Sequence, residues 1–189
     1  MQATNVRTEM EKWLQQAGLN KVLGRDIKLT DPPAALLEKA KENDDIIVVQ
    51  PAGCTAAELS EAFHLTNWAS VGLETVSSAT VDKDLWFIAP AVDLAPYAGE
   101  SPESVEKIAL NEGKKGMSLE QYILFAARFK AVRGHYPDVT YWTWLLRSHE
   151  RTLVLFAGFD TFGNLQLNSC TSDYVDDNTG CRLITMESS

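Results

Sequence analysis

SLEQYILFAARFKAVRGHYPDVTYWTWLLRSHERTLVLFAGFDTFGNLQLNSC, residues 118–170, changes its hydrophobic period midway and so decides the fold class. Ser118 is a good helix N-cap, and Gln121, three positions on, completes a capping box that satisfies two orphan backbone donors. Tyr122, Phe125, Ala126 and Phe129 follow at helical spacing and line one face, while Arg128, Lys130 and Arg133 suit the negative end of the helix dipole. Gly134 and Pro137 then mark the stop.

Beyond Pro137 the period falls to about two residues. Tyr141–Arg147 alternates, with Trp142, Trp144 and Leu146 on the face expected beneath the preceding helix, in one core with Phe125 and Phe129. The polar run Ser148–Arg151 reads as a hairpin connection into Thr152–Phe159, a nearly continuous apolar strand. Asp160–Asn164 reads as the next turn, and Leu165, Leu167 and Ser169 alternate after it. The result is a three-stranded antiparallel meander.

Upstream, Val6, Met10, Trp13, Leu14 and Ala17 form the stripe of a helix opened by Thr4 or Asn5, and Asp31-Pro32 signals a second helix. Ile46–Gln50 and Leu85–Ala89 read as buried strands, with a Thr55/Glu58 capping box after the first and a helix opened by Ser101-Pro102 after the second. With 189 residues, 45% of them hydrophobic, the chain suits one substantial core. The expected fold is a single α+β domain over residues 1–189, with a mixed or antiparallel sheet of about five strands, helices packed on one side and the C-terminal meander. Residues 171–189 are expected as a partly flexible tail, with one edge strand from Arg182 onward. No apolar run approaches the roughly 18 residues of a membrane span, and three cysteines without an apolar leader fit a reducing cytoplasm.

Charge is uneven. Residues 46–113 carry two lysines against ten acids, and residues 114–151 carry seven basic residues against three acids, within a net charge of -9. That balance argues against nucleic-acid binding, which needs a basic footprint on phosphates. Lys114, Lys115, Arg128, Lys130 and Arg133 form a local basic run, whose plainer reading is a solvated helix face.

The candidate nucleophile is Cys54, in VVQPAGCT (residues 48–55), between a buried strand and a capped helix whose N-terminus favours a thiolate. No histidine lies beside it in sequence, and the plainer reading is a small packing residue. Tyr141, Arg147 and His149 are the candidates for exposed recognition, on the strand face opposite the tryptophans or in the adjoining turn. Cys170 and Cys181 flank a polar loop with Asp173, Asp176, Asp177 and Asn178, which lacks both calcium-loop and zinc-ligand spacing and reads as an acidic turn between free thiols. No metal and no cofactor is expected.

LWFIAPAVDL, SLEQYILFAARF, YWTWLL, LVLFAGF and LQLNSC, taken in order, resemble an uncharacterised bacterial protein family of unknown function over the second half to two-thirds of the chain. The resemblance implies that Ser169 and Cys170 terminate the meander, and it implies no reaction. The sequence therefore reads as a small acidic binding protein, an accessory or inhibitory protein with a basic protein or a small molecule as partner. The alternative is a cysteine-dependent hydrolase or transferase using Cys54.

Overall fold

In a computed structural model of the chain the residues described are 2–66, 72–73, 76, 79–150 and 153–186, with the backbone alone at 149 and 150. The N-terminal part runs α1 (Ala3–Gln16), α2 (Leu19–Val22), α3 (Ala34–Asn43), β1 (Asp45–Gln50), α4 (Ala56–Ala62) and β2 (Leu85–Pro90). After it come α5 (Pro102–Asn111), β3 (Lys115–Gly116) and α6 (Leu119–Arg133). The C-terminal part is all strand: β4 (Trp142–Glu150), β5 (Leu153–Phe159), β6 (Leu165–Cys170), β7 (Thr179–Cys181) and β8 (Leu183–Met186).

The α+β class and the meander are as the sequence predicts, but the strands divide between two four-stranded sheets, ordered β1-β2-β8-β3 and β6-β5-β4-β7. The first is antiparallel throughout, and the second includes the parallel β4–β7 pair. Residues 179–186 are no loose tail. β7 borders β4, while β8 lies inside the first sheet, where Phe87 faces Met186 and Lys115 faces Ile184.

Helix α6 begins and ends at the predicted signals: Ser118 Oγ accepts from Gln121 N at 3.3 Å, Gln121 Oε1 accepts from Ser118 N at 2.9 Å, and Gly134 is the left-handed cap. Its surface differs from the expected single apolar stripe. Every residue from Leu119 to Ala127 is buried, because α6 packs against β1 of one sheet and β4 of the other and has no solvent face over those turns.

The polar Ser148–Arg151 run is not the hairpin connection expected of it. β4 continues through Glu150 across a register shift between Leu145 and His149, and residues 151 and 152 lie outside the described ones. The bulge turns Ser148 inward, where its Oγ accepts from Leu119 N at 2.8 Å and caps a second donor of α6. It also lets Arg147 N donate to Met117 O at 3.3 Å, joining β4 to the first sheet's last strand. Gly116 makes this approach feasible, since a Cβ there would lie 2.6 Å from Leu146 Cβ.

The strand alternation is as read, but its faces are assigned the other way. Leu145, Leu155 and Ala157 meet Phe125 and Phe129 in the larger core, whereas Trp144, Leu146, Val154 and Phe156 form a smaller core with Val105 and Ala109 of α5. Trp142 packs against this second cluster. The tryptophan face is covered by α5 because α6 already occupies the other side of β4.

Between β7 and β8 the chain passes from one sheet to the other through a single residue, Arg182. It is fully buried and pairs with buried Asp138, Nε donating to Oδ2 and Nη2 to Oδ1, each at 2.8 Å. Tyr122 OH donates to Asp138 Oδ2 at 3.2 Å, Arg182 Nη2 also donates to Asp93 O at 3.1 Å, and the guanidinium lies 4.9 Å from the Phe125 ring centre. Four segments therefore meet at one ion pair.

Candidate functional site

The most strongly featured surface combines the start of α5 with the loop 171–178. Ser101 caps α5 by accepting from Ser104 N at 3.2 Å, with Pro102 in the first turn. The loop is shaped by Asp176, whose Oδ1 accepts from Asn178 N at 3.0 Å and whose Oδ2 accepts from Thr179 Oγ1 at 3.0 Å. Glu103 N donates to Ser172 O at 3.2 Å, which stitches loop and helix together. Trp144 lies beneath both, its Nε1 donating to Glu100 O at 3.2 Å and its ring edge-on to Tyr174 at 6.2 Å.

Glu100 and Glu103 from one segment and Asp173, Asp176 and Asp177 from the other are thereby brought onto adjoining segments with Tyr174 and Val175, which are 46% and 55% exposed, while Glu106, a turn further along α5, lines the groove that holds Arg147. Lys107 lies beside them and pairs with Glu103 at 2.8 Å. A hydrogen bond from Thr171 holds the Asp173 carboxyl below its ordinary value. Among the described residues no three His, Cys, Asp or Glu side chains converge on one metal position.

The sequence-derived binding candidates fall in separate places. Tyr141, half-buried, lines an open pocket of about 370 Å³ with Trp142, Thr140, Thr161 and Gln166. Arg147 is exposed and lines a different groove of about 350 Å³ with Lys114, Lys115 and Leu110. The side chain of His149 lies outside the described residues. The basic run is divided: Lys114 pairs with Glu112, Arg128 with Glu9 and Arg133 with Asp44, and Lys130 lies over the Tyr136 ring.

Cys54 sits where the sequence places it, ahead of α4, whose Thr55/Glu58 capping box is formed. It is fully buried, and desolvation pushes its thiol up to about 11, which outweighs the opposing pull of Arg25. A protonated, enclosed thiol is the reverse of an activated nucleophile. Cys170 and Cys181 are free thiols. Burial pushes Cys170 up to about 11 as well, and Cys181, fully buried, also lies well above an ordinary thiol.

Sequence reasoning identified the acids of the loop but missed Tyr174 and Val175, and it missed that the loop meets α5. The available signal was Trp144, whose burial demanded a cover from outside the meander. No family model matches the chain, and neither a curated protein nor a solved structure matches it. No helix among the described residues is long and apolar enough to cross a membrane.

Proposed function

We propose that the protein is a non-enzymatic binding protein whose acidic face takes a basic protein partner. The observation that carries this reading is the meeting of two distant segments, joined by Glu103 N and Ser172 O, which bring five carboxylates (Glu100, Glu103, Asp173, Asp176 and Asp177) together with the exposed apolar pair Tyr174 and Val175. Clustered carboxylates steer a cationic surface and fix its orientation, while apolar side chains at the centre of such a patch supply the desolvated anchor that charge alone lacks. The loop is held by its own Asx bonds and by the bond from Glu103, so little ordering cost is left for association. Three free cysteines support a cytoplasmic setting.

The test is fluorescence anisotropy with a labelled Lys/Arg-rich peptide carrying a central leucine. Binding is expected to weaken at least about tenfold between about 0.05 and 0.5 M salt, and again in the Asp173→Asn/Asp177→Asn variant. Salt-independent binding, or full affinity after both substitutions, would refute the assignment of this face.

A further inference from the structure

A second feature, independent of the acidic face, is the pocket beside β4 and β5 that Tyr141 enters. Its walls are unusually fixed. Asp138 and Thr140 both lie in the left-handed region, with φ of 53° and 65°, although neither is glycine and threonine is β-branched. They are held there by Phe159 N donating to Asp138 O at 3.2 Å and Thr140 N donating to Phe159 O at 3.1 Å. Gly158 allows the segment to close on β5, since a Cβ at that position would lie 2.2 Å from Tyr141 O. Beneath the segment, Asp138 is anchored by its buried pair with Arg182. Strain that the surroundings enforce in this way concentrates at ligand sites.

The lining specifies the chemistry of the ligand. No Lys, Arg or His contributes to it, so a phosphate or carboxylate would find no countercharge. Its one carboxylate, Asp160, is already spent: Oδ1 accepts from Phe162 N and Asn164 N, both at 2.9 Å, and Oδ2 accepts from Asn164 Nδ2 at 2.8 Å and from Gln166 Nε2 at 3.4 Å. What remains is neutral. Thr140, Thr161, Tyr141 and Gln166 offer hydroxyl and amide groups that both donate and accept, beside the half-buried aromatic surfaces of Tyr141 and Trp142. Orientation by a few neutral polar groups against aromatic walls is the character of a small-ligand site, and the volume of about 370 Å³ falls in the range of such sites. We propose that this pocket binds a neutral sugar ring, one face against Tyr141 and Trp142 and its hydroxyls bonded to Thr140, Thr161 and Gln166.

The site shares no residue with the acidic face, so the two assignments stand or fall separately. The full isotope-labelled chain is titrated in turn with cellobiose, maltose and N,N'-diacetylchitobiose, with adenosine and AMP as base-containing controls, while backbone amide resonances are followed. The expected result is a saturable shift of the Tyr141, Trp142 and Gln166 amides with at least one disaccharide. Gln166→Leu and Thr161→Val should each weaken that binding at least about tenfold without changing the far-ultraviolet circular dichroism. Thr161 is exposed and Gln166 half-buried, so these variants keep the test decisive if Tyr141→Ala fails to fold. The proposal is overturned if no disaccharide saturates, if adenosine or AMP saturates where the sugars do not, or if both variants bind as the unaltered chain does.

Discussion

Replacing Asp138 with asparagine removes the negative charge from the Arg182 pair while preserving side-chain shape, an acceptor for Tyr122 and tolerance of a φ of 53°. The arginine is left as an uncompensated cation with no exposed surface. Losing one partner of such a pair costs about 3–5 kcal/mol, because the remaining charge stays desolvated. With a urea slope of about 2 kcal/mol/M, the unfolding midpoint should fall by about 1.5–2.5 M. Arg182→Met in the same background removes the stranded cation, so the double variant should be more stable than Asp138→Asn alone, with a coupling energy of about 2–3 kcal/mol. A midpoint shift below about 0.5 M at unchanged slope, or single-variant losses that simply add, would show that the pair does not hold the sheets together as described.

Trp144→Ala should cost about 3–5 kcal/mol, since the ring is fully buried against Phe156 and loses its bond to Glu100; a loss below about 1 kcal/mol at unchanged slope would remove it from the second core. In the native protein at neutral pH, Ellman's reagent should modify Cys170 before Cys54 and Cys181, and all three promptly only after unfolding; rapid reaction of Cys54 would restore the nucleophile reading. Burial raises the Asp45 carboxyl above 3.8, so the folded chain binds that proton more tightly than the unfolded one, and its ionisation costs stability as pH rises through that range. Asp45→Asn should therefore raise the urea midpoint at neutral pH, and the gain should vanish at about pH 3, where the unfolded-state carboxyl is also protonated; a constant gain across this range would contradict that linkage.

Local chemistry made several elements legible from the sequence. The capping boxes at Ser118 and Thr55, the left-handed cap at Gly134 and the meander's alternation each depend on neighbours within a few residues or on one hairpin partner. Non-local choices were not legible. Nothing near Leu183–Met186 shows that these four residues bridge β2 and β3, and the apolar stripe through Tyr122 and Phe129 does not announce that the opposite side of α6 is covered too. Ser148 reads as part of a hairpin connection because it opens a polar run, whereas the bulge directs its hydroxyl at Leu119 N. The acidic face was half visible. Window charges showed an acidic middle, but the acids of 173–177 lie some seventy residues beyond Glu100 and Glu103, and they are brought together through Trp144, roofed by both segments, and the bond from Glu103 N to Ser172 O.

The placement of β8 within its sheet dictates the order in which that sheet can be assembled. β2 and β3 are neighbours of β8, not of each other, so residues 85–90 and 115–116 have no shared partner until residues 183–186 have left the ribosome. Until then the apolar Leu85–Pro90 strand presents one unpaired edge, a template for intermolecular pairing. Closing the sheet joins residues about a hundred positions apart, the kind of contact that slows folding most. A chain stopped at Arg182 would keep nearly all of its hydrophobic residues yet retain that open edge permanently, and it should accumulate in inclusion bodies where the full chain does not.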